Sequence, residues 1–165
     1  MSRGLGDVYK RQALIDSGTG KTIGVTNYPE EEMAIFAKQK GWAEQDPDIW
    51  WKNCCLGTRK LLSETGVSSD DIEGIGIAYQ MHGMVIVDCD QHVLRPSIIW
   101  CDSRAVEIGN EAFRGLGEDR CVSNLLNSPG NFTLSKLKWV KENEPDIYKN
   151  IYKYMLPGHY IEFRF

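Results

Sequence analysis

The chain has 165 residues, which suits one domain with a hydrophobic core. Hydrophobic residues make up 42% and charged residues 25% of it, the balance of an ordinary globular protein. A net charge of -4 without a basic face argues against nucleic-acid binding, and the sequence contains neither an apolar run of membrane-spanning length nor an N-terminal secretory signal.

The N-terminal region is expected to contain a leader and then a β-hairpin. Residues 1–12 are polar and glycine-rich, so we expect little order there. Residues 13–16 and 22–26 are β-branched runs on either side of a glycine-rich turn, a pattern typical of a hairpin. The turn contains Gly-Lys-Thr, but Ile15 stands where a phosphate-binding P-loop needs glycine, and no helical pattern follows. A hairpin turn is therefore favoured.

A long helix is predicted after a loop. Residues 28–40 predict a short extended segment and a loop. Asp46 is a good capping residue, Pro47 suits the first helical position, and Gly66 suits the end of a helix. The apolar face of this helix is expected to contain Trp50, Cys54 and Leu61, with Trp51, Cys55 and Leu62 beside them.

Three strand regions are predicted between residues 74 and 100. Residues 74–79 form an apolar run typical of a buried strand. Residues 84–88 and 93–94 flank a turn as the strands of a hairpin do, and residues 96–100 form another short apolar strand.

The rest of the chain is expected to be mainly helical. Asp102 is expected to cap a helix that runs to about residue 114. Further helices are predicted at 118–126, 133–143 and 145–152, and a last short strand at 155–157. Lys136, Lys138 and Lys141 are expected to form a solvent-facing edge. Hairpins followed by strands alternating with helices predict an α/β domain with a mixed sheet and flanking helices.

The number and spacing of the cysteines indicate the compartment. There are five, an odd number, and no two of them form a Cys-x-x-Cys pair. Neither a disulfide framework nor a metal-binding cysteine cluster is therefore expected. We expect buried free thiols in a reducing cytosol, and thus a cytoplasmic protein.

Polar side chains follow the predicted strand at 74–79. Gln80, Met81 and His82 come directly after it, and ligands of open α/β sheets bind beyond the carboxyl ends of strands. The carboxamide of Gln80 and the imidazole of His82 offer the mixed donors and acceptors that a polyhydroxy ligand needs, while Gly83 permits a close approach. A single satisfied core histidine explains the same residue equally well.

A second group of polar side chains follows the predicted strand at 96–100. Trp100, Asp102 and Arg104 provide an apolar plate, an acceptor and a cation within one turn, as sugar sites require. Taken alone, a core tryptophan, a helix cap and a surface arginine are slightly favoured.

Several stretches, in matching order and spacing, resemble the N-terminal domain of the FGGY carbohydrate kinases. They are G-W-A-E-Q-D-P at 41–47 with two tryptophans after it, Q-M-H-G at 80–83, V-L-R-P-S-I-I-W-C-D-S-R at 93–104, P-G-N-F-T at 129–133 and E-N-E-P-D-I-Y at 142–148. The resemblance covers residue 13 to about residue 165. The Q-M-H-G and W-x-D-x-R blocks are typical of the xylulose-kinase branch of the family.

This resemblance implies an actin/hexokinase-type (ribonuclease H-like) ATPase fold of two domains. Residues 13–165 would be an incomplete N-terminal, sugar-binding half-domain behind a non-matching leader at 1–12. The implied activity is ATP-dependent phosphorylation of D-xylulose, or of another ketose, sugar alcohol or sugar acid. Met81 and His82 would contact the sugar and Trp100 would be its apolar plate. The predicted substrate-binding residues are Gln80, Met81, His82, Trp100, Asp102 and Arg104.

Three departures from the family pattern shape the expected activity. The family opens with a D-x-G-T-x-x-x-K phosphate loop whose aspartate helps to place Mg²⁺, and residues 1–12 do not match it. The catalytic aspartate of the family lies in a C-terminal domain beyond residue 165. Asn131 is an additional residue in the usual P-G-F-T turn.

From these departures we expect ATP and Mg²⁺ to bind the intact parent protein and not this chain alone. The chain should carry no catalytic, cofactor-binding or metal-binding residue and should be inactive without the C-terminal kinase domain. A sugar-binding or regulatory module without catalysis is the alternative from another functional class.

Overall fold

A computed structural model describes residues 10–165, which form a mixed α/β arrangement, as predicted. The strands are β1 (Lys10–Ile15), β2 (Thr22–Tyr28), β3 (Glu44–Gln45), β4 (Val85–Val87), β5 (Ser97–Ile98) and β6 (Lys153–Met155). The α-helices are α1 (Pro47–Thr65), α2 (Val106–Leu116), α3 (Glu118–Leu125), α4 (Thr133–Asn143), α5 (Pro145–Lys149) and α6 (Pro157–Arg164). Short 3₁₀ helices lie at Ser69–Asp71 and Pro129–Asn131.

The predicted N-terminal hairpin is confirmed. β1 pairs antiparallel with β2, so that Ala13 lies opposite Val25. The Asp16 carboxylate closes the turn by accepting hydrogen bonds at 2.6 Å from both the N–H and the hydroxyl of Thr19. A strand rather than a helix follows Lys21, in agreement with the rejection of a P-loop.

The hairpin starts earlier than the sequence predicts. β1 begins at Lys10, so residues 10–12 belong to the sheet and not to a leader. The side chain of Gln12 is anchored on α1, since its Nε2 donates to the Cys54 carbonyl at 3.0 Å. The rest of the predicted leader, residues 1–9, lies outside the described residues.

The core lies on both sides of the central strand β4. Val85 and Val87 pack into one cluster with Trp50 of α1 and Tyr160 of α6. Ile86, which points the other way, packs into a second cluster that includes Val140 of α4. All three strand residues have 0% exposure. β4 is therefore buried on both faces, with alternate side chains serving the two clusters.

Helix α1 is confirmed with both predicted ends. Asp46 Oδ1 accepts the N–H of Asp48 at 2.9 Å, and Pro47 occupies the first turn. Gly66 ends the helix in the left-handed region, with φ 70°. Its backbone N–H donates to the Leu62 carbonyl at 2.9 Å. The capping aspartate, the first-turn proline and the terminal glycine are the features from which the sequence predicts this helix.

The prediction of a buried strand at residues 74–79 is wrong. Among the described residues this segment has no strand partner, and Ile75 is 64% exposed. The apolar run has the composition of a strand, but a strand also requires a neighbouring backbone to pair with. The segment nevertheless ends at the polar residues 80–82, as expected.

The helical C-terminal region differs from the prediction at several points. α2 begins at Val106 and not at Asp102, which caps nothing because its carboxylate is engaged elsewhere. α5 ends at Lys149, before the predicted residue 152. The predicted last strand is β6, and the helix α6 after it was missed, although Pro157 is a typical first helical residue.

The prediction that the cysteines are buried holds only in part. Cys121 is buried, whereas Cys89 and Cys101 are exposed. Within residues 10–165, no helix combines the length and the apolar character needed to cross a membrane.

Candidate functional site

The loop at residues 80–83 is fixed against the start of α4. His82 has a left-handed backbone with φ 74°, which is uncommon outside glycine. Its ring stacks on Phe132, with centroids 4.9 Å apart and planes 5° from parallel. Its carbonyl accepts a hydrogen bond from Lys136 Nζ at 2.6 Å, and the Gly83 carbonyl accepts one from the Thr133 hydroxyl at 3.2 Å. These contacts hold the unusual backbone in place.

Lys136 is buried, which corrects the prediction that it faces solvent. Its exposure is 0%, and its Nζ donates to the carbonyls of His82 at 2.6 Å and Asn131 at 3.3 Å. Lys138, on the same helix, is about half exposed as predicted. Lys136 thus connects the loops that contain His82 and Asn131 from the protein interior. A helical pattern alone does not predict this role.

The imidazole of His82 favours its neutral form. Burial, and secondly the positive charge of Lys136, lower the pKa of His82 below its ordinary value of 6.5. At neutral pH the ring therefore offers one donor and one acceptor and not two donors. This is the pair of groups that a sugar with adjacent hydroxyl or carbonyl oxygens can use.

Gln80, Met81 and Trp100 lie in different surroundings. Met81 is 64% exposed. Gln80 and Trp100 both line a cavity of about 530 Å³, and Met81 and His82 do not. The Gln80 Oε1 atom is buried and has no hydrogen-bond partner among the described residues. The structure therefore splits the predicted site into an exposed loop tip and a cavity wall.

Asn131 joins the two predicted site segments. Its Nδ2 donates to the carbonyl of Trp100, while its own carbonyl accepts from Lys136. The sequence marked Asn131 only as an additional residue in a turn. In the structure this residue connects the chain at Trp100 to the lysine that holds His82.

Asp102 is buried, and its carboxylate is bound by groups of the protein itself. It is 1% exposed, and its carboxylate accepts the Ala43 N–H at 2.5 Å and the Arg104 N–H at 2.9 Å. Arg104 Nε and Nη2 donate to the same carboxylate, at 2.9 and 2.7 Å. Because its oxygens are occupied by the protein, Asp102 has a structural role here.

Arg104, the other charged residue of the W-x-D-x-R block, is also buried. Its side chain is 1% exposed and its guanidinium lies over Trp42, 3.7 Å from the ring centroid, and 4.9 Å from that of Trp139. Its Nη1 is 2.8 Å from Glu44 Oε1, which also pairs with Arg95. The W-x-D-x-R block therefore builds a buried ionic network behind Trp100.

The sequence is similar to known carbohydrate kinases. Residues 5–165 match a sequence model described as the FGGY family of carbohydrate kinases, N-terminal domain. The match includes residues 5–12, part of the segment that the sequence set apart as a leader.

Curated relatives include two xylulose kinases. The chain is 35% identical over 134 residues to the xylulose kinase of Escherichia coli (strain K12), covering 81% of this chain and 27% of that protein. It is 34% identical over 153 residues to the xylulose kinase of Bacillus subtilis (strain 168), covering 93% of this chain and 30% of that protein. An L-xylulose/3-keto-L-gulonate kinase of Escherichia coli (strain K12) is 34% identical over 147 residues, covering 86% of this chain and 28% of that protein. The chain thus spans less than a third of the length of these relatives.

Two solved structures of similar fold are also those of xylulose kinases. A xylulose kinase ("xyloylose kinase") from Brucella ovis superposes with a TM-score of 0.82 at 33% identity, over 94% of this chain and 32% of that one. The xylulose kinase from Rhodospirillum rubrum superposes with a TM-score of 0.79 over 94% of this chain and 31% of that one. Its 23% identity supports the likeness of fold alone.

Proposed function

The chain belongs to the FGGY family of carbohydrate kinases, and on that premise we propose that the whole protein phosphorylates D-xylulose, or a closely similar ketose, with ATP. The described residues form an incomplete actin/hexokinase-type half-domain. Within it, the loop at residues 80–82 forms one wall of the sugar site.

The clamped conformation of His82 is the observation that carries the proposal. A neutral imidazole, stacked on Phe132 and attached to a backbone whose carbonyl accepts a hydrogen bond from Lys136, presents one donor and one acceptor in a fixed position. The exposed side chain of Met81 lies beside it in the sequence and offers an apolar surface for the C–H groups of a sugar. A rigid polar group next to an apolar one is what orientation of a small polyol requires.

ATP and Mg²⁺ are the co-substrate and metal that the family implies, and the described residues do not fit them. The carboxylate of Asp16 is used to close the β1–β2 turn on Thr19. Asp88, Asp90 and His92 lie close enough to hold a metal, but Asp88 Oδ1 already accepts the N–H groups of the other two. We therefore assign no phosphoryl-transfer step to residues 10–165, which bind and orient the sugar.

The substrate can be tested on the chain directly. Saturation-transfer NMR with D-xylulose should give signals from the sugar, and the variant His82→Ala should lose them. His92→Ala is the matched control, since His92 is an exposed histidine outside the loop at residues 80–83. Stronger signals from 3-keto-L-gulonate would move the assignment to a sugar acid. Equal signals from both histidine variants and the parent would refute the role of His82.

Activity needs a separate measurement. The 165-residue chain should release no ADP from ATP when D-xylulose is added, because its described residues are assigned to sugar binding and not to phosphoryl transfer. Sugar-dependent ATP turnover by the purified chain would refute this part of the proposal. Sugar binding by a full-length protein that also fails to turn over ATP would favour the non-catalytic binding module.

A further inference from the structure

The 3₁₀ turn Pro129–Asn131 contacts both of the separated parts of the predicted sugar site. The side chain of its last residue, Asn131, donates to the Trp100 carbonyl. The residue that follows the turn, Phe132, stacks on the ring of His82 with 4.9 Å between the centroids. A shift of this turn would therefore move the chain at Trp100 and the ring of His82 together.

The turn is attached to the helix that follows it. The buried hydroxyl of Ser135, in the first turn of α4, donates to the Pro129 carbonyl at 2.7 Å. Lys136, the next residue of α4, donates to the Asn131 carbonyl at 3.3 Å. Bonds from a single helix leave a turn free to pivot about that helix unless a second element packs against it.

Helix α2 is that second element, and it meets the turn at the buried Gly109. A Cβ atom at Gly109 would overlap with the Cα atom of Gly130 and with the carbonyl oxygen of Pro129. The helix and the turn are thus in direct backbone contact, which only glycine permits at this position of α2. Backbone atoms cannot swing aside as the end of a side chain can. Any side chain at residue 109 must therefore push α2 and the turn apart.

Helix α2 is also connected to the Trp100 segment at its start. The N–H of Val106, its first residue, donates to the Ser103 carbonyl at 3.1 Å. A closed ring of contacts results. It runs from Trp100 along the chain to Gly109, across the backbone contact to the turn, and back through the Asn131 amide to the Trp100 carbonyl.

We propose that Gly109 is a positioning residue for the sugar site. By letting α2 lie directly on the turn, it determines where Asn131 holds the Trp100 carbonyl and where Phe132 stacks on His82. The proposal rests on the proposed function, which assigns residues 80–82 to sugar binding, and it adds a residue that acts through the turn. Binding groups must be held within about 0.5 Å of their productive positions, so a small displacement of the turn weakens sugar binding.

Two glycines of α2 provide a matched pair of variants. Gly109→Ala forces α2 and the turn apart, whereas a Cβ atom at Gly115 meets nothing within 4 Å. Both variants replace glycine by alanine in the same helix, so a difference between them reports the contact with the turn. In NMR titrations of the 165-residue chain, Gly109→Ala should weaken D-xylulose binding about tenfold and Gly115→Ala less than about twofold. Equal affinities of the two variants would overturn the proposal.

A spectroscopic signature separates positioning from a general loss of stability. The chain has three histidines, so the ring protons of His82 can be assigned by comparison with His82→Ala. Stacking on Phe132 shifts these protons upfield, and without sugar Gly109→Ala should reduce this shift while Gly115→Ala preserves it. Failure of the parent chain to bind D-xylulose would refute the proposed function and, with it, the sugar-site role of Gly109. Binding by the parent chain with an unchanged His82 ring in Gly109→Ala would overturn the positioning role alone.

Asn131→Ala decides the matter even if Gly109→Ala does not fold. This variant removes the amide that donates to the Trp100 carbonyl and keeps the backbone carbonyl that accepts from Lys136. The carbonyl carbon of Trp100 should shift upfield on loss of the hydrogen bond, and D-xylulose binding should weaken about fivefold or more. An unchanged sugar affinity would show that the turn does not position the site, and would overturn the role of Gly109.

Discussion

Replacing Arg104 by methionine should destabilise the fold strongly. The substitution keeps the length and apolar character of the side chain but removes a buried guanidinium. Arg104 donates to Asp102 at 2.7 and 2.9 Å and lies 2.8 Å from a Glu44 oxygen. Both carboxylates are 1% exposed, so neither can replace the lost partner with water.

The expected size of this effect follows from the burial. Removing one partner of a buried ion pair costs about 3–5 kcal/mol, because the other charge is left unpaired in the interior. The stacking of the guanidinium on Trp42, at 3.7 Å, is lost as well and adds about 1–2 kcal/mol. Asp102 keeps the Ala43 N–H and Glu44 keeps its ion pair with Arg95, and both place the total near the lower end of the summed range. We expect a loss of about 4 kcal/mol, a large share of the stability of a domain this size.

Urea unfolding followed by tryptophan fluorescence measures the loss. Arg114→Met is the matched control, since Arg114 pairs with Glu107 at 2.8 Å while both side chains are about two-thirds exposed. That variant should keep the midpoint of the parent chain, because exposed ion pairs contribute little. The double variant with Asp102→Asn should recover part of the loss. A single Arg104→Met variant as stable as Arg114→Met would refute a stabilising role for the buried network.

Three further predictions concern smaller groups. Lys136→Met should lower the free energy of unfolding by about 1–3 kcal/mol, because the carbonyls that accept from Lys136 lose their donor. In an NMR titration of this variant, the pKa of His82 should rise toward its ordinary value. An unchanged pKa would contradict the electrostatic effect of Lys136. Because the pKa of His82 is lowered in the folded state, the unfolded state binds more protons as the pH falls through about 6.5. The free energy of unfolding should therefore decline as the pH falls below that value, and His82→Asn should reduce the decline. Equal pH profiles for the parent chain and the variant would contradict this prediction. Gly66→Ala should cost about 1 kcal/mol in thermal unfolding, since φ is 70° there and the surrounding space is open, whereas Gly76→Ala should cost nothing.

The parts of the fold that the sequence predicted well depend on local signals. Asp46, Pro47 and Gly66 define α1 through bonds within the helix and its caps, so a short stretch of sequence contains all the information. The hairpin of β1 and β2 is likewise set by its own turn. Residues 74–79 show the opposite case, because an apolar run becomes a strand only when another backbone pairs with it, and the run itself carries no information about that partner.

The surroundings of the predicted site residues could be predicted only in part, for the same reason. A ligand and a neighbouring arginine are equivalent partners for Asp102 when only the spacing of residues is known. The choice is made by the Ala43 N–H, which comes from 59 residues away. The helical pattern predicts that Lys136 faces solvent. In the structure Lys136 is buried, because it donates to the His82 carbonyl, 54 residues away. Contacts of this range are not contained in local periodicity.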